Sequence, residues 1–245
     1  MGVVEDIKKI FKYSIKSYFG HLSWGIFFGL VLLLAFLIPV FAGVPTYTTL
    51  GSIYLRFNSM PDLTPGTLTI IGLVFVVSTF LISFSVVNIN NIVKSERTLL
   101  NIPTEMMKSL KTYSLRLFWV CIIQILILWI GQVLFQSTKY VTVLLPLYNF
   151  ILAFMLIFVP SAIVMEELGV LHAVKRSIQF IKKYPVLTCS IMGIVVVIIA
   201  AVNGILLLSP VFPQYLTIIF NVLFVLPFTI ILIAHTYINK YSIVG

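Results

Sequence analysis

The sequence predicts an all-α integral membrane protein: six transmembrane helices arranged as three hairpins, each preceded by a cytoplasmic amphipathic helix. Three observations carry this. The 245 residues are 60% apolar and only 9% charged, whereas a water-soluble domain of this size carries about 25% charged residues. Six apolar runs, at residues 22–42, 67–87, 117–135, 141–164, 186–208 and 215–237, contain no Asp, Glu, Lys or Arg, and each has the roughly 20 residues needed to cross a bilayer core. The connections between runs alternate between strongly basic segments and segments almost free of Lys and Arg.

The basic residues set the orientation. Fourteen of the 16 Lys and Arg residues fall on one side: the N-terminal segment, the second and fourth connections, and the tail. Only Arg56 and Lys139 fall on the other. The positive-inside rule puts both termini in the cytoplasm. The first run is longer than the roughly 7–15 residues of a signal-peptide core, so no cleavage is expected there. The formal net charge of +9 does not point to nucleic acid, because the cations lie in short segments between apolar runs and not on one polar surface. Cys121 and Cys189 both lie in apolar runs and form no disulfide or metal pattern.

Each basic segment reads as an amphipathic helix. Residues 3–19 place Val3, Ile7, Ile10, Phe11, Ile15 and Tyr18 on one stripe, opposite Lys8, Lys9, Lys12 and Lys16. Residues 103–116 set Met106, Met107, Leu110 and Tyr113 against Lys108 and Lys111. Residues 166–184 set Leu171, Val174, Ile178 and Ile181 against Lys175, Arg176, Lys182 and Lys183. The acidic start of this third helix suits the helix dipole, and Pro185 stops it. Apolar stripes beside basic faces are typical of interfacial helices. All ten of these basic residues are therefore candidate contacts to an anionic inner leaflet. The chain is a single membrane domain, 1–245, with pseudo-repeat units 1–92, 93–165 and 166–245. The outer loop at 43–66 is long, and the other two outer loops are tight.

Residues 160–177 read Pro-Ser-Ala-Ile-Val-Met-Glu-Glu-Leu-Gly-Val-Leu-His-Ala-Val-Lys-Arg-Ser. A proline near the end of the fourth span, an acidic residue, a glycine and a basic helix containing serine follow in order, here Pro160, Glu166 or Glu167, Gly169 and Ser177. This stretch resembles a pattern in small six-helix prokaryotic membrane proteins similar to the membrane domain attached to some glycerophosphodiester phosphodiesterases. The resemblance implies the six-span layout in a prokaryotic cytoplasmic membrane. The catalytic domain of those enzymes is not in these residues, so no activity is implied.

The remaining constellations point away from catalysis. Glu166-Glu167 and the His235-Thr236-Tyr237-Ile238-Asn239 segment partly match intramembrane proteases with a paired-Glu motif, but Leu171 stands where Arg is required, and the second His motif is missing. His21, His172 and His235 share a depth but no metal-ligand spacing. No catalytic residue, metal or cofactor is expected. Four amides, Gln132, Asn149, Asn203 and Asn221, fall in different spans, in the outer half of the bilayer. They form a candidate polar cluster, either interhelical hydrogen bonding or an outward cavity, and packing is the expected outcome. The Gly25-Ile26-Phe27-Phe28-Gly29 segment permits close helix approach, expected within the chain. The sequence thus predicts a non-enzymatic scaffold, accessory subunit or lipid-interacting module. Its expected partners are membrane lipids, anionic at the inner face, and a membrane or cytoplasmic protein. The alternative is a small transporter or permease for a neutral or amphiphilic solute or lipid.

Overall fold

A computed structural model describes residues 3–44, 46–50, 53–57, 64–98, 102–136, 138, 140–208 and 212–241. Among the described residues, six helical stretches are long and apolar enough to cross a membrane. They are α2 (Leu22–Phe41), α3 (Pro65–Thr98), α5 (Tyr113–Gln136), α6 (Val141–Leu156) continued by α7 (Val159–Met165), α9 (Pro185–Leu207), and α10 (Pro213–Phe220) continued through one π-helical turn (Asn221–Val225) into α11 (Leu226–Ile238). Three further helices, α1 (Val3–Gly20), α4 (Ile102–Lys111) and α8 (Val170–Lys183), carry most of the basic residues. In the long connection between α2 and α3, strands β1 (Thr46–Leu50) and β2 (Ile53–Phe57) pair antiparallel, with Leu50 opposite Ile53. The segments TYTTL and IYLRF are rich in β-branched and aromatic residues, which suit a ribbon.

Helix α3 organises the bundle. At 34 residues it is about 50 Å long, against a hydrocarbon core of about 30 Å. Leu68, Ile70, Leu73, Val76 and Val77 in its first half are exposed. From Ser78 onward it becomes central, and residues 87–95 are all buried. Helices α2, α4, α5, α7 and α11 all pack on it. The apolar run that ends at Val87 in the sequence therefore marks the end of hydrophobicity and not the end of the helix. No Gly or Pro occurs between residues 73 and 98 to stop it. The unit boundary at residue 92 falls within this helix.

Two spans are interrupted at prolines. Pro160 lacks an N–H and stands at the start of α7, so the fourth span breaks after Leu156. Ser177 on α8 repairs the break: its Oγ accepts the Phe158 N–H at 3.3 Å and donates to the Met155 carbonyl at 2.7 Å. In the sixth span, Pro227 cannot bond the carbonyl of Leu223, four residues back, and the π turn lies just before it. That carbonyl faces Gly29 of α2. A Cβ on Gly29 would lie 2.7 Å from the Leu223 oxygen and 3.0 Å from its Cα. The Gly25/Gly29 pair therefore serves intrachain packing, but unequally. A Cβ on Gly25 would meet only the Tyr18 ring, at an ordinary 3.6 Å.

The basic helices dock on one end of the bundle, at the ends of α3, α7 and α11 and the start of α5. They bury the stripes read from the sequence only in part. In α1 the buried residues are Asp6, Ile10, Ser14, Ser17 and Tyr18, and Val3 and Ile15 are exposed. In α8 they are Ala173, Ser177 and Phe180, whereas Leu171 is 79% exposed. Small side chains allow close helix contact where solvent is lipid and apolar bulk gains nothing from burial. Ile10, Tyr18 and Phe180 are buried beside them, and the other long apolar residues, Leu171 among them, lie sideways.

Gly29→Ala is expected to lower the stability of the purified protein by about 1–3 kcal/mol, the usual cost of overpacking. Gly25→Ala should leave it nearly unchanged. Thermal unfolding of both variants in the same detergent checks the contrast.

Candidate functional site

At the basic end, amide, hydroxyl and charged side chains on α3 form a buried belt. Asn88, Asn90 and Asn91 are at most 1% exposed and Lys94 is 6% exposed. Buried polar groups need partners, and most of these have them. Asn88 Nδ2 donates to the Phe84 carbonyl at 2.8 Å, and its Oδ1 accepts from Ser109 Oγ on α4 at 2.9 Å. Asn90 Oδ1 accepts from Ser161 Oγ on α7 at 2.8 Å. Lys94 Nζ lies 2.9 Å from Glu167 Oε1, and its ammonium also sits over the Tyr113 ring.

The two glutamates between α7 and α8 reach in opposite directions. Glu167 accepts from Lys94 of α3 and from Tyr113 Oη of α5 at 2.5 Å, with Lys108 of α4 at 3.6 Å. Glu166 is paired with Arg176 of α8 at 3.0 Å and accepts from the Tyr237 hydroxyl of α11. The Arg176 guanidinium stacks 4.0 Å from the centre of the Tyr241 ring. One short turn therefore ties α3, α4 and α5 to α8 and α11. Glu167 has φ +54, a conformation that a side chain with a Cβ adopts rarely. Arg116 Nη1 donates to its carbonyl at 2.6 Å and to that of Leu168 at 3.2 Å, so the strained turn is held from both sides. The expectation that these glutamates open the third amphipathic helix is corrected. Glu166 caps the end of α7, α8 begins after Gly169, and both carboxylates face protein groups.

The Tyr113 hydroxyl and then Lys94 hold the Glu167 carboxyl down to about 2 from the usual 4.5. The Lys240 ammonium, with the Asn239 amide, likewise holds Asp6 below its ordinary range despite burial of the carboxyl. The Asp6–Lys240 pair at 2.7 Å joins the first helix to the end of the last.

The four amides do not form one cluster. Asn203 and Asn221 are 2% and 1% exposed and bond each other at 2.6 Å. Gln132 and Asn149 are exposed on α5 and α6. Those spans lie at the side of the bundle, with only 17% and 6% of their apolar windows buried, so they have few neighbours to receive an amide. Lys8, Lys9, Lys12, Lys16, Lys108, Lys111, Lys175, Lys182 and Lys183 are exposed. Arg176 is not an outward contact: the Glu166 carboxylate and the Tyr241 ring hold it. His21 and His235 face Glu96, at 3.3 and 4.0 Å, whereas His172 is exposed on α8. Among the described residues no group of His, Cys, Asp and Glu is arranged to hold a metal.

The sideways apolar stripes line two grooves. One, of about 540 Å³, lies between α5, α6 and α8. Its walls include Ile123, Ile127, Leu152, Met155, Leu171 and Val174, and Lys175 and Lys182 also line it. The other, of about 610 Å³, runs between α1 and α9, with Ile7, Phe11, Ile15 and Ile194 beside Lys8 and Lys12. Both combine an apolar wall with a pair of lysines. No family model, curated protein or solved structure matches the chain.

The belt was not read from the sequence. Its signal is the run Asn88-Ile89-Asn90-Asn91-Ile92-Val93-Lys94-Ser95, which continues an apolar helix without a breaker and puts Asn88, Asn91 and Ser95 on one helical face. Glu167→Gln is expected to cost about 1–2 kcal/mol at neutral pH. It leaves Lys94 buried without its carboxylate, but Glu167 is half exposed, which reduces the loss below that of a fully buried pair. Lys94→Met combined with Glu167→Gln should cost less than the sum of the single changes. Because the folded pKa is depressed, the Glu167 contribution is complete above the unfolded value of 4.5 and is lost as pH falls through about 2. The difference between wild type and Glu167→Gln should thus stay flat from about pH 7 to pH 5 and shrink below that. Denaturation of the four proteins across this range in one detergent measures it.

Proposed function

We propose that this protein is a non-enzymatic, lipid-interacting membrane module. It lies in the cytoplasmic membrane with both termini inside and holds anionic phospholipid at its basic end. The observation that carries this reading is the groove between α5, α6 and α8. The apolar face of α8, left out of the bundle core, forms one wall of a cleft that opens sideways, where acyl chains lie in a bilayer. Lys175 and Lys182 line the same groove. A phospholipid offers the complementary pattern: hydrocarbon for the wall and a phosphate for the ammonium groups. Each lysine near an anionic headgroup contributes about 1 kcal/mol.

The transport reading rests on the outer amides and on the proline-kinked helices. Asn203 is bonded to Asn221, and Gln132 and Asn149 are exposed elsewhere, so the amides lend less support to transport than to packing. The scaffold reading is compatible with lipid retention, because a partner can dock on the exposed faces of α4 and α8.

The full chain, extracted gently and examined by native mass spectrometry, is expected to retain anionic phospholipid in preference to zwitterionic lipid. Lys175→Gln with Lys182→Gln should weaken that retention by about tenfold, the equivalent of roughly 1.4 kcal/mol. Lys111→Gln, on α4 and away from the groove, should not change it. Equal retention of neutral and anionic lipid, or no effect of the paired substitution, contradicts the reading.

A further inference from the structure

A second cleft, of about 530 Å³, opens at the basic end between α1 and the last turns of α3 and α11. It differs in character from the lateral grooves. Lys9, Lys16 and Arg97 line it, as do two buried polar side chains, Ser17 and His235. Ser17 is 0% and His235 4% exposed, and among the described residues neither Ser17 Oγ nor His235 Nε2 has a hydrogen-bond partner. Two orphaned polar atoms on the lining of one cleft are unusual, because buried polar groups are nearly always paired.

Glu96 is the acidic residue lining this cleft. Its carboxylate is turned onto His21 Nε2 at 3.3 Å and lies 4.0 Å from His235 Nε2, too far for a hydrogen bond. Asp6, on the adjoining part of α1, is paired with Lys240 and Asn239. Lys16 and Arg97 thus stand against one carboxylate that already has a partner. A cationic ligand would add to this excess, and a neutral polyol would leave it unopposed.

We propose that this cleft is a binding site for a phosphate-class oxyanion, either free or as a terminal phosphomonoester. Such a group offers acceptor oxygens to the Ser17 hydroxyl and to an Nε2–H tautomer of His235. It offers a bidentate face to the Arg97 guanidinium and a compact double charge to the lysines. The site shares no residue with the lateral groove, so it stands or falls independently of the lipid reading.

The test uses the full chain in nanodiscs of phosphatidylcholine with isotope-labelled histidine rings. His21→Gln and His172→Gln assign the His235 resonance. In one arm inorganic phosphate is titrated, with chloride at matched ionic strength as control. In the other, phosphatidic acid, which carries a phosphomonoester headgroup, is added to the bilayer in phosphate-free buffer. The expected result is a saturable shift of the His235 signal in at least one arm and none with chloride. Arg97→Gln and Lys16→Gln should each weaken the response at least fivefold, and Lys111→Gln should leave it unchanged. A response to inorganic phosphate alone identifies a soluble ligand, and a response to phosphatidic acid alone identifies a lipid headgroup. A His235 signal that neither arm moves, that chloride moves equally, or that is indifferent to both Arg97→Gln and Lys16→Gln overturns the proposal. Unfolding curves of the unliganded variants distinguish lost binding from lost structure.

Discussion

Two neighbouring carboxylates, Glu166 and Glu167, hold the basic end of this bundle together. In a region of low dielectric an unpaired charge or amide is far more costly than in water. Here α3 carries three asparagines and a lysine into the interior, and it can do so only if other helices supply partners. Glu167 neutralises Lys94, and Glu166 neutralises Arg176. The two side chains leave the same turn in opposite directions, so satisfying both fixes that turn between two groups of helices. The left-handed backbone at Glu167 and the Arg116 clamp on its carbonyl follow from the same requirement. So does the position of α8, which starts immediately after the turn and is stapled to the broken fourth span through Ser177.

The lateral groove follows from that docking. Once α8 is fixed by Glu166, Arg176 and Ser177, its small residues Ala173 and Ser177 face the bundle. Leu171 and Val174 are left to face α5 and α6. The same division occurs in α1, where Ser14 and Ser17 pack inward while Ile7 and Phe11 line the other groove. Helices of this kind present fat side chains to lipid and lysines to headgroups. The two features proposed to act on ligands, lateral grooves with lysines and a polar cleft with orphaned donors, are both consequences of how α1 and α8 sit against the belt.

The spans were legible in the sequence because hydrophobic length is a strong signal: residues 22–42 and 186–208 differ from helices α2 and α9 by a residue at most at each end. What lay beyond the apolar runs was less legible. Hydropathy marks Asn88 through Ser95 as a connection, yet the helix continues, and the missing breaker was the informative feature. The amphipathic stripes were legible as periodicity, but which of their residues turn inward was not: Ile10 and Tyr18 of α1 and Phe180 of α8 are buried, whereas Leu171 is exposed. In water an apolar stripe marks the buried face, whereas in a bilayer lipid satisfies it and small residues mark the protein contact. Asn203 and Asn221 were legible as inward amides. Gln132 and Asn149 were not separable from them, because nothing in one sequence says that α5 and α6 lie at the side of the bundle. The glutamate pair was quoted for its likeness to other membrane proteins, and its inward role became visible only with Tyr113, Lys94 and Tyr237 around it.

The central claim is that the Glu166–Glu167 turn is the clasp that docks α8. Hydrogen–deuterium exchange of the full chain in nanodiscs tests it directly. With both glutamates replaced by glutamine, the amides of Val170–Lys183 should exchange much faster than in the native protein, while those of α2 and α9 keep their protection. Unchanged protection of α8, with both carboxylates removed, would contradict the account.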